Sequence, residues 1–141
     1  MPLDPARVAD ARAWLDKAAL DLRSARVDLE AAPPILGDAL FHCQQAVEKA
    51  LKAFLAWHDH PFRRTHDLVE LGVQCSTIDA GLESLLRRAA PLTEYAWKFR
   101  YPGDVPEPTD TEAEGALRLA AAVVEAVIER VPPEVRAADA R

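Results

Sequence analysis

Phe41-His42-Cys43-Gln44-Gln45-Ala46-Val47-Glu48-Lys49-Ala50-Leu51-Lys52-Ala53-Phe54-Leu55 reads as a helix with two unlike faces. At about 100° per residue, Leu40, Val47, Leu51, Phe54 and His58 fall on one side, and His42, Gln45, Lys49 and Lys52 fall roughly opposite. Cys43, Ala46, Ala50 and Ala53 run between them as a small-residue flank, where a neighbouring helix can come close. A face that meets only water carries Glu, Lys and Arg. Imidazole and amide groups make this one chemically richer. Two uses are open to His42 and Gln45: contact with a ligand, or hydrogen bonds between helices, the common fate of buried polar side chains.

Upstream, Asp4-Pro5 is a helix start, with Asp as N-cap and Pro at the first helical position. Ala11, Leu15, Ala18, Leu22, Ala25 and Leu29 then recur at helical spacing and predict a long amphipathic helix over about residues 5–31. Asp10, Asp16, Lys17, Asp21, Arg23 and Asp28 lie off this seam and read as its wet face, and Pro33-Pro34 ends the helix. The central helix is expected over about residues 36–58. Beyond it, Thr65 or His66 is expected to cap a short helix through Leu71, with a loop from Gly72 to Thr77. Leu82, Leu85, Leu86, Ala89, Leu92, Ala96 and Phe99 predict a helix from about Asp79 to Phe99, kinked or split at Pro91. Arg100 to Pro108 holds three prolines and a glycine, so it breaks the chain. A last helix starts near Thr109 or Asp110, with Leu117, Ala120, Val124, Val127, Ile128 and Val131 as its stripe, and Pro132-Pro133 stops it. The expected fold is all-α: an up-and-down antiparallel bundle of four long helices with an additional short helix. One domain over residues 1–131 and a flexible tail over 132–141 are expected.

The chain has 141 residues, half of them hydrophobic and 6% aromatic, enough for one domain with a real core. A net charge of -6 argues against a general nucleic-acid coat, which rests on many phosphate contacts, but allows one local basic site. Cys43 and Cys75 are far apart and form no C-x-x-C pair, so reduced thiols are expected. Met1-Pro2-Leu3-Asp4 has no signal-peptide character, and no apolar run approaches the roughly 20 residues a membrane helix needs. A cytoplasmic protein with no membrane contact is expected.

Three constellations carry candidate chemistry. His42, Gln45, Lys49 and Lys52 suit a phosphate or nucleotide: Lys supplies charge, Gln reads a base or ribose edge, and His donates, accepts or moves a proton. Arg63-Arg64-Thr65-His66 offers two cations ahead of a helix start, where an anion can sit; the plainer reading is two solvated arginines in a turn. Lys98-Phe99-Arg100-Tyr101-Pro102-Gly103, with Trp97 before it, offers an aromatic beside a cation as a stacking platform for a base, or else a plug at the bundle's end. None of His42, His58, His60 and His66 has the i, i+4 partner of a helical zinc motif, and His58-x-His60 is a faint hint, so no metal and no cofactor are expected. Cys43 beside His42 makes no nucleophilic pair, because adjacent helix residues point apart.

The stretch Phe41 to Ala53, then Thr65-His66-Asp67-Leu68, then Arg100-Tyr101-Pro102, resembles the HEPN domain family, the "higher eukaryotes and prokaryotes nucleotide-binding" domain. Trp14-Leu15 with Ala18, Asp21-Leu22 and Ala25 is similar to that family's first helix, and the resemblance covers about residues 10–130. It implies a helical bundle that forms homodimers and binds nucleotide or RNA. It also implies a minimal nucleotidyltransferase as partner, sometimes as a toxin–antitoxin couple. By matching position it points to His42, Gln45, Lys49, His66, Arg100 and Tyr101 as ligand-binding residues. The family's ribonucleases carry R-x(4–6)-H, and no Arg here stands at that distance before a His. The leading expectation is therefore a non-catalytic nucleotide- or RNA-binding partner of a nucleotidyltransferase. A divergent ribonuclease, in which His42 or His66 meets Arg100 across a dimer, and a purely structural interaction module are the alternatives.

Overall fold

A computed structural model describes residues 2–103 and 105–136. Within them the chain is all-α: five α-helices, three short 3₁₀ segments and no strand. Helix α1 (Pro5–Glu30) begins where Asp4 accepts from the Ala6 amide at 3.0 Å, with Pro5 at the first position. Of its predicted seam, Ala11, Leu15, Ala18, Leu22 and Ala25 are buried, and Leu29 is only partly so. Asp21 and Asp28 are not on a wet face. Both are buried, because the neighbouring helix turns its own polar groups towards them.

That neighbour is α2 (Leu36–Trp57). It runs antiparallel to α1: Asp21 meets His42 and Lys49, Trp14 meets Lys52, and Arg7 meets Asp59. Fourteen of its 22 residues are buried, so it has no solvent face wide enough for its polar residues. The helix ends in a two-bond cap. The Asp59 amide donates to the Ala56 carbonyl at 3.1 Å, and the His60 amide to the Leu55 carbonyl at 2.9 Å. Asp59 takes the left-handed turn that this cap requires, at φ 52°.

Helix α3 (Leu68–Ile78) corrects the expected short helix and loop. Asp67 is the N-cap, accepting from the Val69 amide at 2.9 Å, in place of Thr65 or His66. Gly72 lies inside the helix, and a Cβ there would stand 3.5 Å from Leu86 Cβ. That is an ordinary contact distance, and α3 packs there against α4 (Glu83–Ala89). The rod expected over residues 79–99 is split into a 3₁₀ turn at Ala80–Leu82, α4, and a 3₁₀ segment at Ala90–Ala96. Pro91, which lacks an N–H, begins the last piece.

Helix α5 (Asp110–Ile128) is capped by Thr109, which accepts from the Glu112 amide at 3.0 Å. The Tyr95 hydroxyl donates to Glu112 at 3.1 Å and ties the 3₁₀ segment to α5. Of the predicted stripe, Ala120, Val124, Val127, Ile128 and Val131 are buried, while Leu117 is only partly so. In the expected tail, Pro133–Val135 forms a 3₁₀ turn, Val135 is buried, and Arg12 donates to the Glu134 carbonyl. Residues 137–141 lie outside the described part. Among the described residues, no helix is long and apolar enough to cross a membrane.

Candidate functional site

Two polar networks hang on α2. In the first, His42 lies between two carboxylates: Nδ1 is 2.8 Å from Asp21 Oδ1, and Nε2 is 3.3 Å from Asp38 Oδ2. Lys49 Nζ holds the other oxygen of Asp21 at 2.6 Å. Asp28 adjoins Asp38. Burial first, and then the Asp38 carboxyl, push the Asp28 carboxyl up to about 6. In the second network, Gln45 donates to Gln44 Oε1 at 2.7 Å, and Gln44 Nε2 donates to the His66 carbonyl at 3.1 Å and to Glu48 at 3.2 Å. Glu48 also meets Lys52 Nζ at 2.9 Å and His66 Nδ1 at 2.6 Å. The rings of Trp14 and Phe62 close over the Lys52 ammonium.

A groove of about 610 Å³ opens between the start of α2 and residues 98–107. Asp38, Phe41, Lys98, Arg100, Tyr101 and Glu107 are the chemically distinctive side chains of its wall. The Arg100 guanidinium carbon sits 3.9 Å above the centre of the Phe41 ring, in cation–π range. Phe41 in turn meets the His42 ring edge-on, with centroids 5.3 Å apart. Lys98 is paired with Glu94 at 3.0 Å, whereas Arg100 has no carboxylate partner among the described residues. Tyr101 is 75% exposed. Gly37 lets the α2 start approach Phe99: a Cβ there would stand 2.9 Å from Phe99 Cβ.

The six residues singled out from sequence therefore separate. Arg100 and Tyr101 form the groove wall, and His42 adjoins it through Phe41 and Asp38. Lys49 is committed to Asp21, His66 to Glu48, and Gln45 is buried against Gln44. The Arg63–Arg64 anion seat does not form, since Arg63 pairs with Glu70 and the Asp67 carboxylate already occupies the α3 N-terminus. Sequence reasoning missed Asp21, Asp28, Asp38 and the platform role of Phe41. A signal was present: Asp38 precedes His42 by one helical turn, and Asp21 and Asp28 each follow a seam alanine by three residues.

Both thiols are buried, and burial pushes Cys43 and Cys75 up to about 12. Neither is a nucleophile at neutral pH. The sequence model of the HEPN domain matches residues 11–131. No curated protein and no solved structure matches the chain.

Proposed function

The chain belongs to the HEPN domain family, and on that premise we propose that it binds a nucleotide or an RNA end in the Arg100–Tyr101 groove without cleaving it. The observation that carries this reading is Arg100. Its guanidinium carbon lies 3.9 Å from the centre of the Phe41 ring, and it carries no carboxylate partner among the described residues. A guanidinium in that state takes a phosphate through two parallel hydrogen bonds. Tyr101 beside it offers a base an aromatic face in water, a contact worth about 1–3 kcal/mol per base. The chain as a whole, at net charge -6, repels a long polyanion, so a short ligand suits the site better than a coated strand.

The wider reading follows from the same premise. The chain acts in the cytoplasm as a homodimer beside a minimal nucleotidyltransferase, within a toxin–antitoxin couple. Leu20 and Val27, two turns apart on α1 and both exposed, support α1 as the dimer face. In an up-and-down four-helix scheme the members are α1, α2, the broken rod over residues 80–96, and α5.

The test is titration of the full chain with ATP and with a five-nucleotide RNA, followed by calorimetry and thermal shift. Binding to the native state raises apparent stability by about 2.7 kcal/mol at a hundredfold excess over Kd. Arg100→Ala and Tyr101→Ala are each expected to weaken binding by roughly 5- to 100-fold, the equivalent of about 1–3 kcal/mol. No stabilisation at millimolar ligand removes the reading. RNA cleavage by the parent chain that disappears in His42→Ala would replace it with a divergent ribonuclease. Sedimentation of Leu20→Glu tests the dimer face, and a dimer that survives the change rejects it.

A further inference from the structure

The first network on α2 is chemically incomplete. Each of Asp28, Asp38 and His42 offers one donor atom, and the three atoms lie within 4.8 Å of one another. The Asp21 carboxylate can only accept a hydrogen bond, so the 2.8 Å contact places the His42 proton on Nδ1. In the neutral ring the lone pair of Nε2 then faces the Asp38 carboxylate at 3.3 Å. A second proton on the ring or a metal ion between the two atoms would satisfy both. Asp28 sharpens the demand: its side chain is only 9% exposed, and its Oδ2 has no hydrogen-bond partner among the described residues.

We propose that Asp28, Asp38 and His42 bind one divalent transition-metal cation at the edge of the groove. Asp21 is the outer carboxylate that orients the imidazole, as in carboxylate–histidine–metal triads, and Lys49 holds Asp21 in place. The spacing suits an ion: two donors at 2.0–2.1 Å from one centre are about 3.3–3.4 Å apart in tetrahedral and about 2.8–3.0 Å apart in octahedral geometry, and Asp38 and His42 already stand at 3.3 Å. One imidazole with two carboxylates suits zinc or manganese better than magnesium or calcium, which favour oxygen alone. The ion enters past Asp38, whose side chain is 45% exposed and also forms part of the groove wall. Three protein donors leave at least one position for water or for an oxygen of a groove ligand.

The experiment titrates the chelator-stripped full chain with manganese, zinc and, for contrast, magnesium chloride in a calorimeter, with no nucleotide present. One manganese or zinc ion per chain is expected, with magnesium much weaker. His42→Ala and Asp38→Asn should each lower affinity by more than about tenfold, and Asp21→Asn by roughly 10- to 100-fold. His58→Ala and His60→Ala, near the far end of α2, should bind as the parent does. Cobalt should give visible absorption bands that vanish in His42→Ala. Asp38 is partly in water, so its variant tests the site without burdening the fold, and unchanged helical dichroism checks this. No saturable heat with either ion overturns the proposal, as does binding that survives both His42→Ala and Asp38→Asn. Because the ion is titrated alone, its failure leaves the nucleotide reading standing, and failure of nucleotide binding leaves the ion site standing.

Discussion

Consider the second network, where Glu48 and Lys52 pair at 2.9 Å with 3% and 6% exposure. The two partners are not equally replaceable. Lys52→Met keeps the apolar stem between Trp14 and Phe62 and removes the charge. Glu48 then loses one partner, but its Oε1 keeps His66 and Gln44. The expected cost is one unsatisfied acceptor and the cation–π contacts, about 2 kcal/mol in total. Glu48→Leu leaves a buried ammonium facing only aromatic rings, and His66 loses its acceptor. That cost is about 3–5 kcal/mol, the range for an orphaned buried charge. The double variant removes both charges at once, and Gln44 still reaches the His66 carbonyl at 3.1 Å. It should fall within about 2 kcal/mol of the parent, because replacing a whole buried pair by apolar residues is often nearly neutral. The singles sum to about 5–7 kcal/mol, so a coupling of at least about 3 kcal/mol is expected. Urea denaturation followed by dichroism, with midpoint and slope fitted together, reads all four proteins. A Glu48→Leu protein within about 1 kcal/mol of the parent, or an additive double variant, refutes the reasoning.

Three further outcomes are expected. Asp59→Gly should stabilise the chain by about 0.5–1 kcal/mol, since glycine takes the left-handed cap without strain and the exposed ion pair of Asp59 with Arg7 is worth little; an unchanged or lower melting temperature counts against the cap. At pH 8 a disulfide reagent should react slowly with Cys43 and Cys75, at a rate set by opening of the fold, because both thiols stay protonated until about pH 12; prompt stoichiometric reaction contradicts their burial. Gly37→Ala should push Phe99 aside, cost about 1–3 kcal/mol and weaken nucleotide binding. Gly115→Ala meets only the Arg118 side chain, at 3.9 Å, lies outside the groove wall and should leave binding unchanged; an equal loss of binding in the two would dissociate Gly37 from the groove.

Helices α1 and α5 were legible because a 3.6-residue seam, a cap and a proline stop agree in each: Asp4-Pro5 with Pro33-Pro34, and Thr109 with Pro132-Pro133. α2, which has no side-chain cap, was legible from its two-faced seam between Pro33-Pro34 and Pro61. α3 was not, because Gly72 with Ser76 and Thr77 reads as a loop. Burial of Leu68, Leu71 and Cys75 on the same helix outweighs the roughly 1 kcal/mol a helical glycine costs. Arg100 and Tyr101 were legible as a cation beside an aromatic after a break. Asp21, Asp28 and Asp38 were not. A wheel drawn for one helix sends its acids to water, and it cannot see that the facing helix also turns polar groups inward. Burial of α2 on nearly all sides makes its polar residues interior groups.

The two networks then differ in kind, and the difference lies in where each leads. Glu48 and Lys52 neutralise each other, the ammonium is lidded by two rings, and the remaining acceptor capacity of Glu48 is taken by Gln44 and His66. Most donors and acceptors of that cluster are matched within it, and only the His66 ring, 68% exposed, reaches water, so the cluster acts chiefly on stability and on the placement of α2. The His42 cluster holds three carboxylates against one lysine and one imidazole, keeps an unpaired oxygen on Asp28, and reaches water through Asp38. A charge imbalance in a half-open site beside an arginine with no carboxylate partner among the described residues is a place where something can bind. Disturbing the Glu48–Lys52 network should therefore lower stability and leave ligand affinity alone in whatever folds. Asp38→Asn should do the reverse, and a variant set in which the two readouts always move together would erase the distinction.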